Sequence, residues 1–339
     1  MQTASGATGE AQAPSTTTSK GSGRYSLLDA NIGAGTYGTV AKALDKATNK
    51  IVAVKRVKLD RKCVDEEQHS GRLPVGEAGI HFTVLREIKI MKEIRHKNVM
   101  GLIDVYAEGD FVNLVMDFMH TDLKKFLGSH PQLTEAHIKG MMQQILQGLE
   151  VMHSWYFIHR DLAPANVFIN AEGEIKLGDF GLARSHGSPD RAMTPQVVTI
   201  WYRPPELLYF ARLYSDKVDI WSVGCIFAEM LLGRPLFNGQ GEVDQLAKIF
   251  DVMGTPTETN WPGAKHLPRY CEFTYAPPQD FRQVFGPGVS ELSLALLRQL
   301  LVLNPNQRIS AKEALAHEYF KTPPYPCAPS QLPLGFLRK

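Results

Sequence analysis

The sequence predicts an α+β chain in two lobes: a small, β-rich N-terminal lobe with one key helix, and a larger, mainly helical C-terminal lobe. Three observations carry this expectation. A glycine-rich run near the start is followed by strand-like segments. A polar hairpin with acidic residues at its ends occupies the middle of the chain. Most of what comes after reads as helices separated by Pro- and Gly-rich loops. At 339 residues there is enough chain for two lobes, each with its own core. The expected organisation is a tail over 1–23, the small lobe over 24–119 with an inserted loop at 60–78, the large lobe over 120–320 and a Pro-rich tail over 321–339.

Composition narrows the classes of function. Lys and Arg number 37 against 35 Asp and Glu, a net charge of +2, so wholesale binding to nucleic acid or membrane is not expected. The four cysteines, Cys63, Cys225, Cys271 and Cys327, are widely spaced without a CxxC pair. Neither a disulfide framework nor a zinc site is expected from them, and a reducing, intracellular setting is. No apolar N-terminal core reads as a signal peptide, and no apolar run is long enough to span a bilayer. Residues 1–23 hold almost no large apolar side chains and cannot bury enough surface to offset their ordering entropy.

Ile32-Gly33-Ala34-Gly35-Thr36-Tyr37-Gly38-Thr39-Val40 is a G-x-G-x-x-G-x-V run. Its first six positions also fit a dinucleotide-binding turn. That fold needs a helix after the glycines, whereas Val40 to Leu44 and Lys50 to Val57 look like strands around a turn at Asp45–Asn49. The glycines then form a hairpin lid whose backbone can approach phosphates closely, since no Cβ intervenes. Over Phe82–Arg95, Val84, Ile88 and Met91 fall at i, i+4 and i+7 and mark one buried stripe. Glu87 lies on that stripe. A carboxylate facing an apolar interior is costly unless a cation meets it, and Lys55, in Val52-Ala53-Val54-Lys55, is the natural partner. Asp60 to Ala78, rich in charge, Gly and His, reads as a solvated surface loop. Leu114-Val115-Met116 is a strand that runs through Asp117-Phe118-Met119 into His120-Thr121-Asp122. In the helix expected over 134–152, Ile138, Met141, Met142, Ile145, Leu149 and Met152 share one broad face, so the methionines are core filler.

The stretch His159 to Arg184 organises the rest. It opens with His159-Arg160-Asp161, reaches Asn166 and closes with Asp179-Phe180-Gly181. Val167-Phe168-Ile169 and Ile175-Lys176-Leu177 look like two short strands joined at Ala171-Glu172-Gly173. Such a hairpin returns Asp161, Asn166 and Asp179 to one end. Taken singly, each acid reads as well as a structural one. Two carboxylates and an amide at one point suit a hydroxyl nucleophile and hard, oxygen-loving metal ions.

With these motifs in hand, the chain resembles a eukaryotic protein kinase from about Tyr25 to Phe320. Within that superfamily it resembles the cyclin-dependent kinases, through Leu85-Arg86-Glu87-Ile88, Val197-Val198-Thr199-Ile200-Trp201-Tyr202-Arg203, and Gly254-Thr255-Pro256-Thr257 before Trp261-Pro262. Gly187 to Thr194, Leu207 to Leu213 and Asp244 to Phe250 are similar to the member that activates other kinases of the family and is associated with transcription. The resemblance implies transfer of the ATP γ-phosphoryl group to Ser or Thr. Asp161 would accept the hydroxyl proton and Thr199 would hydrogen-bond it, while Asn166 and Asp179 would hold Mg2+. Lys55 would meet the ATP phosphates, with Glu87 as its partner. Residues 32–40, Ala53, the gatekeeper Met116, the backbone of Asp117 and Met119, and Asp122 would complete the ATP site. Asp219 would hold the His159–Asp161 backbone, and Glu206 would pair with Arg308.

The resemblance further implies phosphorylation at Thr194, met by Arg86, Arg160 and Arg184, with Ser188 a secondary site and Thr36 and Tyr37 inhibitory ones. It implies a cyclin, cyclin H-like, on the Arg86–Glu87 helix, a RING-finger assembly factor, and Ser/Thr-Pro protein substrates. Cyclin-dependent kinases and the polymerase tail are the substrates it points to, in a mainly nuclear and partly cytoplasmic setting. Two departures stand out. The 60–78 insertion is unusual, and Ala163 replaces the lysine that Ser/Thr kinases keep two residues after the catalytic aspartate. Alanine there also occurs in tyrosine kinases, but Pro164 and Thr199 point to Ser/Thr specificity. The alternative that Ala163 raises is an ATP-binding scaffold with weak catalysis. A MAP kinase is disfavoured, because no Thr-x-Tyr pair precedes Val197.

Overall fold

The computed structural model describes residues 23–35, 38–58, 82–129, 133–185 and 200–335. Thr36, Tyr37, the 60–78 insertion, Ser188, Thr194 and Val197 to Thr199 lie outside them, as do the side chains of Ala34, Gly35 and Arg184.

The small lobe is an antiparallel sheet of five strands, β1 (Tyr25–Gly35), β2 (Gly38–Asp45), β3 (Lys50–Lys58), β4 (Leu102–Glu108) and β5 (Phe111–Asp117), in the order β1-β2-β3-β5-β4. Strand alternation sends Val52 and Val54 of β3 to one face, where they pack with Tyr25, Ala43 and Val115. Val57 goes to the other face, with Leu114 and Val112 of β5 and Val84 of the helix α1 (Phe82–Glu93). The β2–β3 register brings Gly38 opposite Val57, and a Cβ on Gly38 would stand 1.9 Å from the Arg56 carbonyl oxygen. At Gly33 a Cβ would meet nothing within 4 Å among the described residues. The sheet itself therefore demands glycine at Gly38, and it makes no such demand at Gly33.

The large lobe opens with β6 (Thr121–Asp122), α2 (Leu123–Ser129) and α3 (Glu135–Ser154). Thr134 caps α3 through a capping box with His137. The expected face of Ile138, Met141, Met142, Ile145, Leu149 and Met152 is buried. β7 (Phe157–Ile158) leads to the hairpin of β8 (Val167–Ile169) and β9 (Ile175–Leu177), whose residues match the sequence expectation, and β10 (Arg184–Ser185) returns to pair with β7. The helices α4 (Pro205–Leu208), α5 (Lys217–Leu232), α6 (Glu242–Met253), α7 (Phe281–Phe285), α8 (Glu291–Leu300) and α9 (Ala311–Leu315) follow. α5 is apolar nearly all round and buried along most of its length, as a central helix must be. One continuous core runs from Ile90 and Met91 of α1 through α3, the hairpin and α5 to Leu332 and Leu334. Among the described residues no helix is long and apolar enough to cross a membrane.

The Pro-rich end, expected to be a tail for want of periodicity, packs in its described part. The Cys327 amide donates to the Ala136 carbonyl (3.0 Å), and Leu332 and Leu334 are buried. Two leucines and a backbone bond are enough to hold a segment to a surface without any periodic pattern.

Behind the cleft, Arg308 and Glu206 form a buried two-pronged pair at 2.6 and 2.7 Å. The remaining guanidinium hydrogens reach the carbonyls of Val302, Lys217 and Leu303, so the charge is fully satisfied. Arg308→Met would strand the Glu206 carboxylate, at a cost of roughly 3–5 kcal/mol in chemical unfolding. The double variant Arg308→Met with Glu206→Gln should lose clearly less, a difference that a double-mutant cycle measures.

Candidate active site

Strand β3 delivers Lys55 between Val40 of β2 and Leu114 of β5, on the face turned to α1. Its ammonium donates to both Glu87 oxygens (2.8 and 2.9 Å) and stands 3.5 Å from Asp179 Oδ1. Both partners are buried. Burial opposes both charges. At Lys55 the carboxylates of Glu87 and Asp179 more than offset it and hold the ammonium protonated, while burial leaves Glu87 above the usual carboxylate range.

The hairpin ends bring Asp161, Asn166 and Asp179 together. Asn166 donates its amide hydrogens to the Asp161 carbonyl (2.7 Å) and carboxylate Oδ2 (3.2 Å), which leaves Asn166 Oδ1 as the acceptor for a ligand. Asp179 sits in the left-handed region (φ 60°) at the start of the Phe180–Leu182 turn, and Phe180 is buried with its ring 5.5 Å from that of His159. Among the described residues no three His, Cys, Asp or Glu side chains gather as a metal cage. One carboxylate and one amide oxygen beside the Lys55 ammonium suit Mg2+ held mainly by phosphate oxygens.

Burial raises Asp161 to a pKa of about 6; His159 opposes it, the Asp179 carboxylate adds to it, and Asn166 and Arg203 oppose it more weakly. The loop that carries it hangs from Asp219, which is fully buried on α5. Asp219 Oδ2 accepts the His159 amide (2.8 Å) and His153 Nε2 (2.9 Å), and Oδ1 accepts the Arg160 amide (2.7 Å). Burial favours the protonated acid, but the bonds from His153 and the loop outweigh it and keep Asp219 below the ordinary range. His159 Nε2 bonds the Gly178 carbonyl (3.0 Å) while Nδ1 accepts the Asp161 amide (3.3 Å), tying the two ends of the hairpin together.

The other expected residues are placed as follows. Ala53 is buried and pairs with Met116, itself half-buried. Asp117 binds Lys176 of β9 at 3.0 Å, and Met119 is half-buried against the core. Ile32, Gly33, Gly38 and Val40 are half-buried, and Thr39 is exposed. Asp122 accepts the Lys125 amide (2.9 Å) and meets its ammonium (3.2 Å). Arg160 donates to the Leu182 carbonyl (2.6 Å) and to Tyr214 Oη, Arg86 is half-buried on α1, and the Arg184 backbone pairs with Ile158. Ala163 is half-buried in extended backbone before the Pro164–Asn166 turn. Sequence reasoning missed His153 as the third ligand of Asp219, Tyr214 and the Lys176–Asp117 bridge. No periodicity or motif marks any of the three.

A family profile described as Protein kinase domain matches residues 27–320, and the chain is a protein kinase. Cyclin-dependent kinase 7 of Dictyostelium discoideum is 44% identical over 92% of this chain and 84% of its own length. The Xenopus laevis protein of the same name is 44% identical over 91% and 85% respectively. Cyclin-dependent kinase D-1 of Oryza sativa subsp. japonica is 42% identical over 89% of this chain and 68% of its own. The chain belongs to the cyclin-dependent kinase family. It is a Ser/Thr protein kinase of the α+β, two-lobed fold that uses ATP and Mg2+ and works with a cyclin on protein substrates.

A carboxyl with a folded pKa of about 6 against an ordinary 3.8 destabilises the fold once ionised. Asp161→Asn should therefore abolish turnover yet raise folding stability, by up to roughly 3 kcal/mol above about pH 6. The gain should fade as pH falls and vanish below about pH 4. Chemical unfolding of both proteins across this range measures it.

Proposed function

We propose that this kinase phosphorylates Ser or Thr followed by Pro in the activation loops of other cyclin-dependent kinases and in the C-terminal repeats of RNA polymerase II. Its partners in this reading are a cyclin H-like cyclin and a RING-finger assembly factor, and its main setting is the nucleus. The observation that carries the reading is the gathering of Asp161, Asn166, Asp179 and the Lys55–Glu87 pair at one cleft. The identity to proteins named cyclin-dependent kinase 7 over about nine-tenths of the chain supports the choice within the family.

In this reading Asp161 orients the substrate hydroxyl and takes its proton as the hydroxyl oxygen bonds the γ-phosphorus and the bond from that phosphorus to the β,γ-bridging oxygen breaks, with ADP leaving. A pKa of about 6 leaves it ionised at neutral pH yet basic enough to accept, so activity falls as pH drops through that value. ATP would supply the γ-phosphoryl group, and bound Mg2+ would neutralise its charge. Asn166 Oδ1 and the Asp179 carboxylate would hold the ion, and the Lys55 ammonium would steady the phosphates. Glu87 keeps Lys55 pointed into the cleft, and Ala53, Met116, Asp117, Met119 and Asp122 frame the adenosine. Thr199 would hydrogen-bond Asp161, and phosphate on Thr194 would draw Arg86, Arg160 and Arg184 together. Ser188 is a secondary site, and phosphate on Thr36 or Tyr37 would crowd ATP.

Asp179→Asn should lower turnover nearly to background while leaving the unfolding midpoint close to wild type. The test is phosphate transfer from Mg-ATP to a Ser-Pro peptide by the cyclin-bound enzyme. Retention of most of the activity would defeat the assignment.

Ala163 puts a methyl group where a lysine would neutralise charge on the transferring phosphoryl. A charge-assisted hydrogen bond contributes roughly 1.5–3 kcal/mol, about tenfold to a hundredfold in rate if it acts only in the transition state. Ala163→Lys should raise kcat and change the KM for ATP little. An unchanged kcat in a folded variant would show that another cation already serves there.

A further inference from the structure

The catalytic hairpin meets the small lobe through adjacent residues of β9. The Leu177 amide donates to the Asn98 carbonyl (2.9 Å), and the Leu177 carbonyl accepts the Met100 amide (2.8 Å), just before β4 begins. Strand alternation buries Ile175 and Leu177 and sends the Lys176 side chain the other way. The Lys176 ammonium stands 3.0 Å from Asp117 Oδ2, at the end of β5. Two neighbouring residues thus hold β4 from one side and β5 from the other. Beside the ion pair lies a cavity of about 600 Å3, lined by Val99, Gly101, Leu102, Asp104, Asp117 and Lys176 among others. Apolar packing is thin there, and a charged contact ties the strand end to the hairpin instead. Of the two acids on the cavity wall, Asp104 is taken by Tyr25 Oη (2.9 Å) and Arg24 (3.5 Å), which leaves Asp117 for Lys176.

What the pair spans decides its use. Beyond Asp117 the chain runs through Phe118 and Met119 to His120, whose amide donates to the Ile169 carbonyl (3.0 Å), and Thr121 and Asp122 then pair with β8. Phe118 and Met119 alone separate the end of β5 from residues anchored to the hairpin. Lys176 closes that short arc from the β9 side, and Asp179 comes three residues after it. The side chains of Lys176 and Asp117 are 14% and 47% exposed, so solvent screens the attraction in part and its effect is modest.

We propose that Lys176 is a positioning residue for ATP: by holding Asp117 it sets the distance between the connection that meets adenine and the Asp179 carboxylate that meets the metal on the phosphates. Lys176 itself touches neither adenine nor phosphate in this scheme. The inference rests on the reading that puts adenine against the backbone of Asp117 and Met119. Asp161 hangs from Asp219 on α5 and not from Asp117, so loss of the pair loosens nucleotide binding and leaves the transfer step in place.

The test is steady-state phosphate transfer to a Ser-Pro peptide by the cyclin-bound enzyme, with Mg-ATP varied. Lys176→Met should raise the KM for ATP about twofold to fivefold, the scale of a part-exposed ion pair, and leave kcat within about twofold. Asp117→Asn should do the same, and the double variant should be no worse than either single one, because the two residues act as a unit. Lys176→Arg, which keeps the charge, should stay near wild type. An unchanged KM in Lys176→Met, a KM effect that adds up in the double variant, or a fall in kcat as large as the change in KM would overturn the proposal. Met116→Gly, assayed with N6-benzyl-ATP, checks the reading underneath. Use of the enlarged nucleotide supports adenine at the connection whichever way the Lys176 variants behave. Its refusal by a Met116→Gly enzyme that still uses ATP removes that placement, and the inference with it.

Discussion

The buried carboxylate of Asp219 is the contact on which the site's geometry depends. It takes no part in chemistry, yet two backbone amides of the catalytic loop and one histidine converge on its two oxygens. Arg160 is held at φ 67°, a conformation that a non-glycine residue keeps only when its surroundings insist. The bond from Arg160 N to Asp219 Oδ1 supplies that insistence. Asp161 is the next residue, so the direction of its carboxylate follows from an acid on α5, 59 residues away from Arg160 in the chain.

The same rule governs the other buried charges. Lys55 and Glu87 join β3 to α1 across the edge of the cleft, and Glu206 and Arg308 join α4 to the far end of the large lobe. Such pairs add little net stability over apolar packing, because desolvation consumes most of the attraction. What they impose is geometry: neither partner can move away without leaving a charge unsatisfied in a medium that penalises it heavily. The helix α1 cannot swing from the sheet without exposing this penalty. Control of the Lys55–Glu87 contact is thus a natural place for a partner on α1 to act.

Asp161 shows the opposite use of burial. Its carboxyl is left partly desolvated near a second carboxylate and ends with a proton affinity close to neutral. Stability is given up at that position for basicity. Ala163 fits the same picture, since an adjacent lysine would have lowered that affinity while stabilising the transferring phosphoryl. The chain has kept the desolvated base without the neighbouring cation.

Much of this was legible in the sequence. Strand and helix periods placed β2, β3, α1 and α3, and the stripe of Val84, Ile88 and Met91 was enough to turn Glu87 inward towards Lys55. The hairpin of β8 and β9 followed from two apolar triplets and a turn. These features depend on residues close in the chain, whose relative positions the backbone repeat dictates. The reason for Gly38 was not legible, because it lies in a neighbouring strand's carbonyl and not in a ligand. Nor was the packing of Leu332 and Leu334, which lack any repeat. The role of His153 needed three segments, its own helix end, the loop after Ile158 and the start of α5, to meet at one carboxylate. Residue types and local periods decided which elements form and which acids and bases face inward. Only the tertiary structure decided which buried polar atoms share a partner and which, Trp221 Nε1 and His153 Nδ1 among them, have no hydrogen-bond partner among the described residues, because hydrogen-bond satisfaction in the interior depends on segments that the chain order keeps far apart.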